Sequence, residues 1–177
     1  PERGSWFSIN RQTDSPKETV TSPMFKLWVS HGNKPTDATY QYVVIPTADA
    51  DLLNGNSIDD LRILSNTKNI QAVMHEDLQI CQAVFYQNGS LKISNSVTFT
   101  TETSGIVIVK LADGNIKEVT VSDPTRKLSE FTFSVNKKLG KPQSDNADVV
   151  NTSSNETQVS VKLPQTVYVG KSVTVTF

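Results

Sequence analysis

Apolar and polar positions alternate along most of this chain with the two-residue period of β-strands, and clusters of turn-forming residues separate the runs. Gly4–Asn10 (GSWFSIN) sets Trp6 and Ser8 against Phe7 and Ile9, the pattern of a short strand. The polar stretch from Arg11 to Ser22, with Pro16 inside it, reads as a loop. A predicted strand Met24–Ser30 follows, with Phe25, Leu27 and Val29 on one face and Met24, Lys26 and Trp28 on the other. A second, Tyr40–Ile45, sets Tyr40, Tyr42 and Val44 against Gln41, Val43 and Ile45. The polar segment between them holds His31, Gly32, Asn33, Pro35 and Thr36 and reads as their connection. Both faces of this pair are largely apolar, so the pattern predicts a sheet covered on both sides.

Beyond Pro46 the chain is polar and small apart from Leu52 and Leu53. Ser57 precedes Ile58-Asp59-Asp60-Leu61, an N-cap residue followed by first-turn carboxylates. Ile58, Leu61 and Leu64 recur at three-residue spacing. Together these signals predict a short helix ending near Ser65-Asn66, docked within a linker over residues 48–68. From Asn69 the texture changes to short strands: Ile70–His75, Leu78–Tyr86, Leu91–Ile93, Val97–Thr100, Ile106–Leu111, Ile116–Ser122, Glu130–Val135, Gln158–Leu163, and Thr166–Phe177 bent at Gly170. Glu76-Asp77, Asn88-Gly89 and Asp113-Gly114 mark hairpin turns between them, and Asp123-Pro124-Thr125 breaks a further junction. Lys137 to Asn155 reads as an exposed loop. The whole predicts an all-β chain ending in an antiparallel β-sandwich over residues 69–177.

Composition narrows the chemistry. Seventeen basic and 18 acidic residues give a net charge of −1, which supplies no long-range field toward nucleic acid or an anionic membrane. Cys81 is the single cysteine and lies among apolar neighbours, so disulfides and multi-cysteine metal sites are excluded and an inert buried thiol is expected. No apolar run is long enough to span a membrane. The chain opens on Pro1 rather than Met, without a signal peptide, and is expected to be a piece of a longer protein.

Candidate chemistry is sparse. His31 and His75 have no ligand-spaced partners, so no metal centre is expected, and no cofactor motif appears. Asp49 and Asp51 offer hard oxygen donors for a structural calcium ion, against the plainer reading of a solvated linker. Glu76-Asp77 beside His75 suits a polar turn better than an acid–base pair. No Gly-x-Ser-x-Gly elbow is present. Trp6, Trp28, Tyr40 and Tyr42 are candidate carbohydrate-stacking residues, since a flat ring packs against the C–H face of a pyranose; core packing is the competing reading. Asn-x-Ser/Thr sequons at Asn88, Asn151 and Asn155 follow from loops rich in those residues.

Three segments carry a family resemblance. Gly4-Ser5-Trp6 with Ile9-Asn10 is similar to a G-x-W-x-x-I-N stretch. Phe25, His31-Gly32, Pro35, Tyr40, Tyr42 and Pro46 resemble a strand-HG-x-x-P-strand hairpin ending in Y-x-Y-x-x-x-P. Ile63-Leu64-x-Asn66-Thr67, then Ile70-Gln71-Ala72-Val73 and Ala83-Val84-Phe85, are similar to the entry into a small terminal domain. In that order they resemble the C-terminal part of the family 8 polysaccharide lyases, the group of hyaluronate, chondroitin AC, chondroitin ABC and xanthan lyases. From Gly105 on, only the all-β character agrees.

The resemblance implies that residues 1–47 are the terminal strands of a central β-supersandwich, 48–68 a linker with a short helix, and 69–177 the C-terminal β-sandwich. It implies a parent enzyme, secreted or periplasmic, that cleaves acidic uronic-acid polysaccharides of the hyaluronan or chondroitin type by β-elimination. The family's catalytic Asn, His, Tyr and Arg lie in an N-terminal α/α toroid, and none maps onto this chain. His31, Gly32 and Pro35 are accordingly expected to be structural, and the chain inactive by itself. The competing expectation is a stand-alone carbohydrate-binding or adhesive module.

Overall fold

The computed structural model describes residues 2–45 and 58–177, in two compact units, one reaching Val44 and the other starting at Ile45. The candidate calcium donors Asp49 and Asp51, the polar part of the predicted linker and the Ser57 cap lie outside the described residues.

In the first unit, strand β1 (Glu2–Gly4) pairs antiparallel with β2 (Val20–Ser22), Arg3 opposite Thr21. The predicted strand over Gly4–Asn10 is instead mostly one helical turn, α1 (Trp6–Ile9). Ser5 caps it: its carbonyl accepts from Ser8 N at 3.0 Å, and its amide donates to Ser8 Oγ at 3.4 Å. The predicted strands Met24–Ser30 and Tyr40–Ile45 form no ladder, and most of their apolar side chains are exposed, Phe25 by 88%. The physical reason is the one the pattern contained. A pair apolar on both faces is stable only under two covering layers, and an isolated two-stranded hairpin is marginal in water. The rest of this unit supplies neither layer.

The second unit is a β-sandwich. It opens with a single 3₁₀ turn (Ile58–Asp60) and β3 (Leu61–Asn66), where the linker helix was predicted. The three-residue spacing was not helical: Leu64 packs against the core, whereas Leu61 stands opposite His75 on the other face of the sheet. There follow β4 (Ile70–His75), β5 (Ile80–Phe85), β6 (Gly89–Lys92), β7 (Thr98–Thr101), β8 (Gly105–Ala112), β9 (Asn115–Ser122), β10 (Glu130–Val135), β11 (Ala147–Thr152), β12 (Thr157–Lys162) and β13 (Val173–Thr176). Strands β13-β9-β8-β5-β4-β3 form a six-stranded antiparallel sheet and β11-β12-β10-β7-β6 a five-stranded one.

Asp113 and Gly114 both adopt left-handed φ, +51° and +71°, as a two-residue hairpin between right-twisted strands requires. Asn88-Gly89 behaves differently from its prediction. It joins β5 and β6, which lie in different sheets, so the dipeptide turns the chain across the sandwich rather than closing a hairpin. Part of the predicted Lys137–Asn155 loop is β11, an edge strand with a bulge between Val149 and Asn151. Bulges protect a sheet edge from further pairing.

The core lies between the sheets. Alternate residues of each strand point inward, as in β8, where Gly105, Val107, Val109 and Leu111 are buried and their neighbours exposed. Phe99 is wholly buried, stacked on Phe133 at 4.9 Å between ring centroids and tilted against Phe85 at 6.0 Å. Gly105 makes room for Phe131: a Cβ at this position would lie 2.5 Å from the Phe131 ring. Four connections cross between the sheets at one end of the sandwich, and the two longest are residues 123–129 from β9 to β10 and residues 163–172 from β12 to β13.

Candidate functional site

The sequence pointed to four aromatic residues, and the fold exposes all of them. Trp6, Trp28, Tyr40 and Tyr42 are each more than half accessible. Only part of the set converges. Tyr40 and Tyr42, two residues apart, lie nearly parallel, with ring centroids 6.2 Å apart and 17° between planes. His31 stands 6.2 Å from Tyr40, tilted by 43°. A row of three exposed rings results, set by the turn at Gly32, whose φ of +76° is costly for any residue with a Cβ. Neither tryptophan shares a ring contact with it. Such a row can stack on sugar rings.

The second histidine is engaged within the turn after β4. His75 Nδ1 accepts a 3.4 Å bond from Leu78 N, and Glu76 is engaged by the Arg62 guanidinium. That guanidinium also donates to the Ile93 carbonyl at 3.4 Å, so the cluster ties β3 to the turn after β4. Cys81 is buried, and burial pushes its thiol up to about 12, opposed only partly by the Arg62 charge. A thiol held that far from its thiolate is no nucleophile at neutral pH. Among the described residues no group of three or more His, Cys, Asp or Glu side chains could hold a metal ion. A cleft at the edge of the five-stranded sheet is lined by Ser134, Asn151, Ser153, Glu156 and Gln158, polar groups with a single carboxylate.

The strongly perturbed carboxylate among the described residues is structural. Asp123 is 3% exposed and sits at the start of the connection from β9 to β10. Its Oδ1 accepts from Thr125 N and Thr125 Oγ1, at 2.8 and 2.7 Å. Its Oδ2 accepts from Lys127 N and Leu128 N, at 2.7 and 2.8 Å. Burial by itself would raise its pKa, but the Thr125 hydroxyl and the three backbone donors outweigh burial and hold it at about 2. Nothing in the sequence beyond the Asp-Pro break marked this residue.

Against known proteins, residues 1–57 match the model of the super-sandwich domain of polysaccharide lyase family 8. Residues 62–132 match the model of that family's C-terminal beta-sandwich domain. Chondroitinase-AC of Pedobacter heparinus is 31% identical over 138 residues, 76% of this chain and 19% of that protein. Xanthan lyase of a Bacillus species is 28% identical over 124 residues, 70% of this chain and 13% of that protein. A solved chondroitinase AC lyase, described in complexes with oligosaccharides, superposes with a TM-score of 0.75 at 27% identity, covering 97% of this chain and 23% of its own. The chain thus spans less than a fifth of the length of these two curated relatives.

Proposed function

Because this chain belongs to polysaccharide lyase family 8, we propose that it is the non-catalytic C-terminal portion of an enzyme cleaving acidic, uronic-acid polysaccharides by β-elimination. The observation that carries the reading is the order of the two domain matches, super-sandwich then C-terminal sandwich. Its partner is then the catalytic toroid domain, outside this sequence, and its setting is secreted or periplasmic. The unladdered segments around Phe25–Val29 and Tyr40–Val44 fit the same reading, since both need sheet partners that a larger β-domain supplies. Residues 1–47 are on this view the end of the central domain, and the sandwich from Leu61 onward the C-terminal one.

The test uses the ultraviolet absorbance of the unsaturated uronate that β-elimination creates. The 177-residue chain, incubated with chondroitin sulfate or hyaluronan, is expected to generate none, while the full-length parent protein generates it steadily. Product formation by the chain alone would refute the non-catalytic role, and an inactive parent would refute the lyase reading. A second reading, a stand-alone carbohydrate-binding module, is favoured by one observation, the exposed row of His31, Tyr40 and Tyr42. It requires glycan binding that is lost on Tyr42→Ala.

A further inference from the structure

The connections 123–129 and 163–172, which cross between the sheets at one end of the sandwich, combine three features. First, they carry backbone strain: Arg126 and Thr166 both adopt left-handed φ, +60° and +62°, which is costly for a β-branched residue such as Thr166. Second, they are locked together. Leu163 N donates to Ser129 O at 2.8 Å, Gln165 Nε2 to Leu128 O at 3.1 Å and Ser122 Oγ to Gly170 O at 3.1 Å. The Arg126 stem packs on Gly170, where an added Cβ would lie 3.2 Å from Cγ. Asp123 pins the first loop from within through its four bonds.

Third, what this frame presents to solvent is one aromatic ring and three cations. Tyr168 is 66% exposed, with the Lys171 ammonium 5.7 Å from its ring centroid; Arg126 and Lys127 project from the facing loop. The only carboxylate in either loop is Asp123, buried and saturated. Among the described residues no carboxylate forms an ion pair with Arg126, Lys127 or Lys171.

We propose that the loops 123–129 and 163–172 form an ancillary binding site for an acidic glycan, with Tyr168 stacking on a pyranose ring and Arg126, Lys127 and Lys171 holding its carboxylate or sulfate. The ligand class rests on the acidic-polysaccharide reading above; the site itself rests on the loop geometry. A rigid, strained frame suits such a role, because the side chains are held before the ligand arrives and less ordering entropy is lost on binding. The planar guanidinium fork of Arg126 matches an oxyanion.

Affinity electrophoresis of the 177-residue chain in gels containing chondroitin sulfate, hyaluronan or neutral dextran tests it. Retardation is expected with the acidic polymers and not with dextran. Binding to both acidic polymers means that a carboxylate suffices; binding to chondroitin sulfate alone identifies the sulfate. Tyr168→Ala should weaken binding by about tenfold, the equivalent of one stacked ring. Arg126→Gly with Lys171→Gln, which keeps the left-handed backbone at position 126, should abolish retardation and its dependence on salt. Lys92→Gln with Lys138→Gln, removing two lysines outside these loops, should leave it unchanged. Wild-type binding by the loop variants, equal retardation by dextran, or no retardation at all would overturn the proposal. Lyase activity of the full-length parent is read separately, so loss of this site and loss of the enzymatic reading are distinguishable.

Discussion

Replacing Asp123 by Asn isolates what one buried carboxylate contributes to the end of the sandwich. The two carboxylate oxygens accept four hydrogen bonds, two each, at 2.7 to 2.8 Å. An asparagine has one carbonyl oxygen and one NH₂. With the NH₂ toward Lys127 N and Leu128 N two backbone donors lose their acceptor; with it toward Thr125, whose hydroxyl can turn to accept, Thr125 N still does, and in either case the remaining bonds lose the charge. Each hydrogen bond to a charged group contributes about 1.5–3 kcal/mol, and water reaching the exposed Lys127 offsets part of the loss, so Asp123→Asn should cost about 3 kcal/mol. For a unit of this size that lowers Tm by about 10 °C, readable by circular dichroism or a urea titration. The pH dependence gives an independent check. The folded pKa, about 2, lies below the ordinary 3.8, so the carboxylate's stabilisation is fully present above the unfolded value and is lost as pH falls through about 2. The gap between wild type and variant should therefore be widest above pH ~5 and should shrink steadily toward pH ~2. A variant within 1 kcal/mol of wild type at pH 7, or a gap that does not close in acid, would refute this account.

The remaining predictions follow from packing and burial. Gly105→Ala drives a methyl group into the Phe131 ring, a buried neighbour with little room to move, and should destabilise by about 2 kcal/mol in a urea titration; a neutral result would mean the sheets can separate locally. Cys81, buried and with its thiol held near 12, should resist a thiol reagent at pH 8 in the folded protein and react once denaturant is added, so rapid labelling without denaturant would contradict the fold.

Much of the sandwich was legible as pattern, and the failures have physical causes. Strands β4 and β10 match their sequence readings residue for residue, because each alternates strictly between core and solvent and is bounded by polar turns. β3 was read as helix because three apolar residues happened to fall three apart, and spacing cannot tell a helix stripe from a strand whose apolar residues serve both faces. β11 was read as loop because an edge strand buries so little: of its six residues only Ala147 is buried, and pairing with β12 holds it in the sheet. The Asn88-Gly89 turn was correctly placed but wrongly assigned, since a turn dipeptide does not say whether the next strand joins the same sheet. In the first unit the local signal for strands around Phe25 and Tyr42 was strong, yet ladders are made by partners rather than by propensity.

The candidate sites divide the same way. The sequence named Trp6, Trp28, Tyr40 and Tyr42 as residue types suited to sugar and gave His31 a structural role, but the grouping of His31, Tyr40 and Tyr42 into a row of three rings depends on distances that no spacing rule supplies. Asp123 and the loops it organises were invisible, because Arg126, Lys127, Tyr168 and Lys171 are ordinary surface residues in a linear reading, separated by some forty positions. By itself the sequence determined the all-β class and the resemblance to family 8 lyases. Each of these is local composition, alternation or motif order. Only the tertiary structure decided which strands share a sheet, which carboxylate is saturated and which cations stand unneutralised beside an exposed ring. Those are properties of non-local pairs, and they exist only once two sheets have closed on a common core.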